Sequence, residues 1–166
     1  MIVVSDTSPL SGLAIVGQLP LLYGLYGQIV IPAAVAEELE RGGQDDSRIA
    51  QVLTLSWLEV RQSQNLLLIS ELRKTYQLDR GESEAISLAL ELKADALLID
   101  ERLGRRQASR LGLSITGLLG VLLAAKKKRL VSAVRPVVEA LVSEANFRIS
   151  DQLYLEVLAT AGEQTR

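Results

Sequence analysis

Short apolar runs of strand length alternate along the chain with longer stretches whose apolar residues recur at helical spacing, a pattern of βα repeats. Ile2-Val3-Val4 reads as a buried strand. Ser8-Pro9 reads as a helix start, with serine at the cap, proline at the first position, and Leu10, Leu13 and Ala14 on one face. A second helical piece from about Leu19 to Tyr26 stops at Gly27. Ile29-Val30-Ile31 is the next strand, after which Pro32 opens a helix carrying Val35 and Leu39 that the Gly42-Gly43 pair should end. Asp45-Asp46-Ser47 caps another helix, Trp57 to Val60 is a third strand, and Leu66 to Tyr76 is helical. The sharpest local signal is Leu78-Asp79-Arg80-Gly81-Glu82-Ser83-Glu84-Ala85-Ile86, a turn entering a helix that runs to about Lys93. Ala96 to Ile99 is a fourth strand and Leu113 to Ile115 a fifth, with a helix between them led in by Asp100-Glu101. Helices over Leu118–Ala125, Leu130–Val142 and Asp151–Ala161 complete the chain. Strands separated by helices, with no hairpin turn between any pair, predict an α/β fold: a mainly parallel five-stranded sheet covered on both faces. In such a sheet the ligand site lies outside the carboxyl ends of the strands.

Composition narrows the chemistry more than the fold. With 166 residues, 48% of them apolar and 23% charged, the chain suits one domain over residues 1–166. It contains no Cys and no His. A thiolate nucleophile, an imidazole base, a Ser-His-Asp relay, a structural zinc site and a disulfide framework are therefore excluded. Catalysis must run on carboxylates, Lys, Arg, Tyr or hydroxyls, and a bound metal would be an oxygen-liking ion such as Mg²⁺ or Mn²⁺. Ser5-Asp6 cuts short the opening apolar run, and no basic leader precedes it, so the expected compartment is the cytoplasm. The longest uncharged stretch, Leu111 to Ala125, contains Ser, Thr and three Gly and is too short for a bilayer span, so no membrane is expected.

Net charge is only −2, but the charges are segregated. Residues 1–101 hold fifteen acids against seven bases, and residues 102–129 hold no acids against eight bases. A basic block beside an acidic one suits a polyanion track next to a metal site. The acids recur where the fold would gather them: Asp6 after the first strand, Glu37 and Glu38 in the helix after the second, Asp100 and Glu101 at the end of the fourth, with Glu82 and Glu84 opening the helix before it. Each has an ordinary structural role open to it as a turn acceptor, a first-turn acid or a helix cap. Together at one mouth they would repel one another unless a cation neutralised them.

Four segments in order, Val3 to Leu10, Ile31 to Leu39, Leu78 to Ile86, and Leu98-Ile99-Asp100-Glu101-Arg102 with Gly104-Arg105, resemble the PIN-domain family. Ile115-Thr116-Gly117 and Leu119-Gly120-Val121-Leu122 follow the Arg-rich helix as in the prokaryotic VapC-like branch of predicted nucleic-acid-binding proteins. The resemblance implies a three-layer α/β/α sandwich, a Mg²⁺- or Mn²⁺-dependent ribonuclease site of three or four acids, and a paired antitoxin protein. By position, Asp6 matches the family's first acid and Glu38 its second. For the third, Glu84 ranks first and Glu82 is the alternative; for the fourth, Asp100 ranks first and Glu101 is the alternative. Glu at the third site, where many PIN domains have Asp, lengthens the side chain by one methylene.

In that reading the carboxylates hold the ion and orient its water, while Thr7 or Ser8 contacts the scissile phosphate or that water. Arg102, Arg105 and Arg106 leave the strand end of Asp100 and would contact RNA phosphates, whereas Lys126, Lys127 and Lys128 should lie on the far face. A haloacid-dehalogenase-like phosphatase also places Asp after its first strand, but needs a second Asp where this chain has Ser8. A PIN-like module that binds RNA or a partner protein without cutting is the other alternative, given the 4% aromatic content. Leu130, Val134, Val137, Val138, Leu141 and Val142 nearly encircle one expected helix, which predicts a homodimer.

Overall fold

The computed structural model describes residues 1–164. The strands β1 (Val3–Ser5), β2 (Ile29–Pro32), β3 (Leu58–Arg61), β4 (Ala96–Leu98) and β5 (Ile115–Thr116) form one sheet of order β3-β2-β1-β4-β5. Every pairing is parallel, with Val4 opposite both Val30 and Leu97, and Leu98 opposite Thr116. The expected parallel five-stranded α/β sheet is therefore present, with strand boundaries displaced by one or two residues from the apolar runs.

Period-2 alternation sorts the strand residues into two cores. Val3, Ile29, Ile31 and Leu98 face one layer, which holds α1 (Thr7–Ile15), α2 (Pro20–Tyr26), α3 (Ala33–Asp45), α8 (Leu118–Lys127), α9 (Arg135–Glu144) and α10 (Asp151–Thr160). Val4, Val30, Leu97 and Ile99 face the other, with α5 (Leu66–Lys74), α6 (Arg80–Leu92) and α7 (Arg102–Arg110). A short α4 (Ser47–Ala50) and a 3-10 turn at Gln51–Thr54 lead into β3. From β1 the chain moves to β2 on one side, and from β3 it crosses to β4 on the other. The switch point therefore lies between the ends of β1 and β4, where Asp6 N–H donates to the Leu98 carbonyl at 2.9 Å.

Several local expectations are corrected. Asp6, not Ser8, occupies the cap position of α1, and Pro9 lies within its first turn. Pro32 ends β2 and caps α3 rather than opening the helix from inside. Gly42-Gly43 do not stop α3, which continues to Asp45. A Cβ on Gly43 would lie 2.8 Å from the Ala50 Cα, so the pair lets α4 fold back closely against α3. Asp46, from the predicted Asp-Asp-Ser cap, does accept the Arg48 N–H at 2.9 Å. The helix expected over Leu130–Val142 forms only from Arg135, after a turn in which Arg129 adopts φ +61°. Val134, Val137, Val138 and Leu141 are then buried inside the chain's own core, and only Leu130 and Val142 are exposed. The apolar surplus that predicted a dimer is largely absorbed internally.

Candidate active site

The starts of α1, α6 and α7 and the first turns of α3 gather the acids at the carboxyl ends of β1, β2 and β4. Asp6 sits at the cap of α1 in extended backbone, its side chain 4% exposed. Burial pushes its carboxyl up to about 8, opposed by the Thr7 backbone N–H and reinforced by the charges of Asp79, Glu82 and Glu38. Glu38 is raised by burial and by Asp79. Both carboxylates lie over the start of α6, where residue 81 is glycine. A Cβ there would collide with Glu38 Oε1 and lie 3.4 Å from Asp6 Oδ1. Gly81 thus makes the cradle in which the two acids meet.

The start of α6 supplies two more carboxylates through a capping box. Asp79 Oδ1 accepts the Glu82 N–H at 2.7 Å, and Glu82 Oε1 accepts the Asp79 N–H at 3.0 Å. Glu82 therefore serves as a cap while standing in the acidic cluster. Burial is the first cause that pushes it up to about 7; the Asp79 N–H opposes, and the Asp79 and Glu101 charges add to the rise. Its Oε2 reaches over Gly104 of α7, where a Cβ would stand 2.9 Å away.

Glu84, ranked first for the third position from the sequence, points elsewhere. Its Oε1 accepts the Ala34 N–H at 3.1 Å at the start of α3, and its Oε2 pairs with Arg80 at 2.9 Å. The structure brings Glu82, not Glu84, against Asp6. Asp79 belongs to the cluster too; the sequence reading placed it only in a turn, although it opens the same Asp-Arg-Gly-Glu segment.

Asp100 lies at the end of β4 and turns toward β5. Its Oδ1 accepts the Leu118 N–H at 2.8 Å, capping α8, while Oδ2 is buried without a hydrogen-bond partner. Burial raises its pKa against the Leu118 N–H and Arg105, and the Glu101 charge adds to the rise. Glu101 is exposed at the cap of α7, and its charge acts on both Glu82 and Asp100. The acids thus form a chain from Glu38 through Asp6 and Glu82 to Glu101 and Asp100. The Thr7 hydroxyl is buried at this mouth beside the Glu38 carboxylate, whose rise it opposes, and Ser8 is exposed next to it.

The donor set is oxygen only, and burial with mutual repulsion disfavours the charged carboxylates until a cation neutralises them. The residues therefore fit a divalent cation by chemistry. Among the described residues no three acids are drawn into a closed ligand set.

The basic block divides in two. Arg102 and Arg106 are exposed on one face of α7, but Arg105 turns inward and donates to the Ile99 carbonyl at 2.9 Å. Arg105 is therefore not part of a free phosphate track. Lys126 to Lys128 fall at the end of α8, whose start is at Asp100, so they lie about 15 Å along the helix from the mouth. Lys126 is paired with Glu163 at 3.0 Å.

No curated protein matches the chain. A PilT N-terminus domain protein from the archaeon Sulfolobus solfataricus shares the fold at TM-score 0.56 and 22% identity, covering 75% of this chain and 93% of its own. VapBC2 from Rickettsia felis, solved bound to a DNA fragment from its promoter, matches at TM-score 0.50 and 19% identity, covering 70% of this chain and 98% of its own. A family model for the PIN domain matches residues 2–163. With that match spanning nearly every residue, and with the acids at the switch point of the sheet, the chain belongs to the PIN-domain family.

Proposed function

We propose that the protein is a metal-dependent endoribonuclease of the VapC type, the toxin of a toxin–antitoxin pair acting in the cytoplasm. PIN domains are generally nucleases, and PIN nucleases generally use divalent metal ions. The observation that carries the proposal is the meeting of Asp6 and Glu38 over Gly81, with the Glu82 charge acting on Asp6 from the same helix start and each of the three carboxyls raised above its ordinary range. Asp6 and Glu38 would hold Mg²⁺ or Mn²⁺, with Glu82 in third place and Asp100 or Glu101 completing the set. Held by these carboxylates, a divalent ion would supply Lewis acidity toward water and the scissile phosphate. The buried Thr7 hydroxyl steadies the Glu38 carboxylate, the exposed Ser8 hydroxyl contacts a phosphate oxygen, and Arg102 and Arg106 hold the flanking backbone.

The likeness to VapBC2 supports an antitoxin partner. Among the described residues no helix is long and apolar enough to cross a membrane. A homodimer would cover Leu66 and Leu67 at the start of α5, which are 70% and 87% exposed. Light scattering at tens of micromolar should give twice the chain mass; a monomer would remove the dimer.

The nuclease itself is tested with antitoxin-free protein and structured RNA. Cleavage should require Mg²⁺ or Mn²⁺, stop on adding EDTA, and fall by roughly a hundredfold or more in Glu38→Gln. Cleavage that survives both treatments would belong to a contaminant and sink the proposal. RNA binding without any cleavage would make the protein a PIN-like binding module.

A further inference from the structure

We propose that the groove between α1 and the segment 145–148 is a nucleobase subsite for the nucleotide beside the scissile phosphate, with Phe147 as stacking platform and Arg148 as phosphate contact. The proposal rests on the nuclease reading above. The groove encloses about 440 Å³, a size typical of ligand sites. Asp100 and Glu101 are among its lining residues, so it adjoins the acidic mouth. Ser8 and Ser11 of α1 line one wall, and Phe147 and Arg148 the other.

The far wall is held by backbone geometry. At the end of α9, Asn146 adopts φ +55°, and the N–H groups of Ala145 and Phe147 both donate to the Leu141 carbonyl at 3.0 Å. This turn packs one part of the Phe147 ring against the core and leaves the rest open. A second groove, of about 680 Å³, lies on the other side, again bounded by Asp100, Phe147 and Arg148. The pair 147–148 is therefore a partition between two grooves that meet at Asp100. Phe147 is the only phenylalanine in the chain.

Arg148 strengthens the assignment. Arg148 is exposed and, like Arg102 and Arg106 of α7, makes no ion pair among the described residues, so its guanidinium is open to a phosphate. An aromatic ring beside an unpaired guanidinium is the combination that takes an unstacked base and its phosphate. Its placement next to the acids favours RNA over a peptide, since the nucleotide held there would lie beside Asp100 and Glu101. The serine hydroxyls, able to donate or accept, can meet a base edge.

The test uses a six-nucleotide single-stranded RNA carrying one 2-aminopurine, titrated with Glu38→Gln protein in Mg²⁺ so that no cleavage intervenes. Stacking should quench the fluorescence. Adding Phe147→Leu, which keeps an apolar side chain on the core, should abolish the quenching and weaken binding by roughly tenfold. Adding Arg148→Gln should lower the log-log salt slope by about 0.7. Cleavage by the protein with native Glu38 reads the nuclease separately. If it cleaves RNA and Phe147→Leu changes neither rate, affinity nor quenching, the subsite is overturned and the nuclease stands. If no RNA is bound, the subsite falls as well. A protein partner that is bound by the native chain and released by Phe147→Leu, with RNA binding unaffected, would give the groove to that partner instead and overturn the proposal.

Discussion

At the scale of single residues, the acidic mouth stores an unfavourable interaction that folding imposes and a cation can relieve. Burial pushes the Asp6 carboxyl from 3.8 up to about 8, so folding disfavours its ionised form. By linkage, its contribution to stability is full below the unfolded value and is lost as pH rises through the window from about 4 to 8. Glu82, pushed from 4.5 to about 7, adds to the same loss. In EDTA the native protein should therefore melt higher at pH 5.5 than at pH 8. Asp6→Asn should remove much of that difference, gaining about 1–3 kcal/mol at pH 8. Mn²⁺ should raise the melting temperature of the native chain at pH 8 and leave that of Asp6→Asn nearly unmoved. A native protein indifferent to pH across this window, or a variant that gains as much from Mn²⁺, would show that Asp6 is not in the ion's site. The position of Asp6 and Glu38 at one mouth of the sheet was legible in the sequence because they follow strands whose apolar runs are plain. The choice between Glu82 and Glu84 was not, because both fall in the first turns of one helix and only the packing of α3 against α6 decides that Glu84 is taken up by Ala34 and Arg80.

At the scale of elements, the order of strands and helices was legible and the helix ends were not. Apolar period survives as burial: Val35 and Leu39, read as one face of α3, are fully buried. End signals are ambiguous because the same residue answers different needs. Glycine terminates helices by adopting positive φ, but it also permits close approach, and the pair in α3 does the second. The two positions should part company when changed. Gly43→Ala places its Cβ 2.8 Å from backbone Cα of Ala50, where nothing flexible can yield, whereas Gly42→Ala meets the Ile49 Cγ2 at 3.3 Å. Alanine gains about 1 kcal/mol of helix propensity at either site. Gly42→Ala should therefore be neutral or stabilising, and Gly43→Ala destabilising by about 1–3 kcal/mol despite that gain. Chemical denaturation reads both; a stabilised Gly43→Ala would mean that α4 does not rest on α3 in solution. The Leu130–Val142 helix failed for a related reason. Pro136 suits a first turn, so the apolar residues before it belong to a turn that drops Val134 into the core.

Across the whole molecule, charge is sorted by the same topology that gathers the acids. Parallel strands put Asp6, Asp100 and the helix starts after them at one end, and α7 leaves that end with Arg102 and Arg106 outward. The three track arginines expected from the sequence become two, because Arg105 is spent on the Ile99 carbonyl and on the charge of Asp100. Arg110, further along, stacks over Tyr76 at 4.7 Å and bonds Gln107, so it too is engaged. Arg102 and Arg106, four residues apart on one helix face, are what RNA would meet. For a single strand, each phosphate left without its guanidinium should flatten the log-log salt slope by about 0.7, so changing both to Gln should lower it by about 1.4 and weaken binding at low salt. Arg105→Gln should instead act mainly on stability, leaving the slope unchanged. Lys127 and Lys128, exposed at the far end of α8, supply the control: their replacement should leave affinity within a factor of a few. A lysine variant with weaker binding and a flatter slope, beside an unaffected Arg102→Gln/Arg106→Gln, would place the strand on the opposite face and oblige it to reach Asp6 past α3, where Arg41 and Arg80 temper the Glu38 carboxyl.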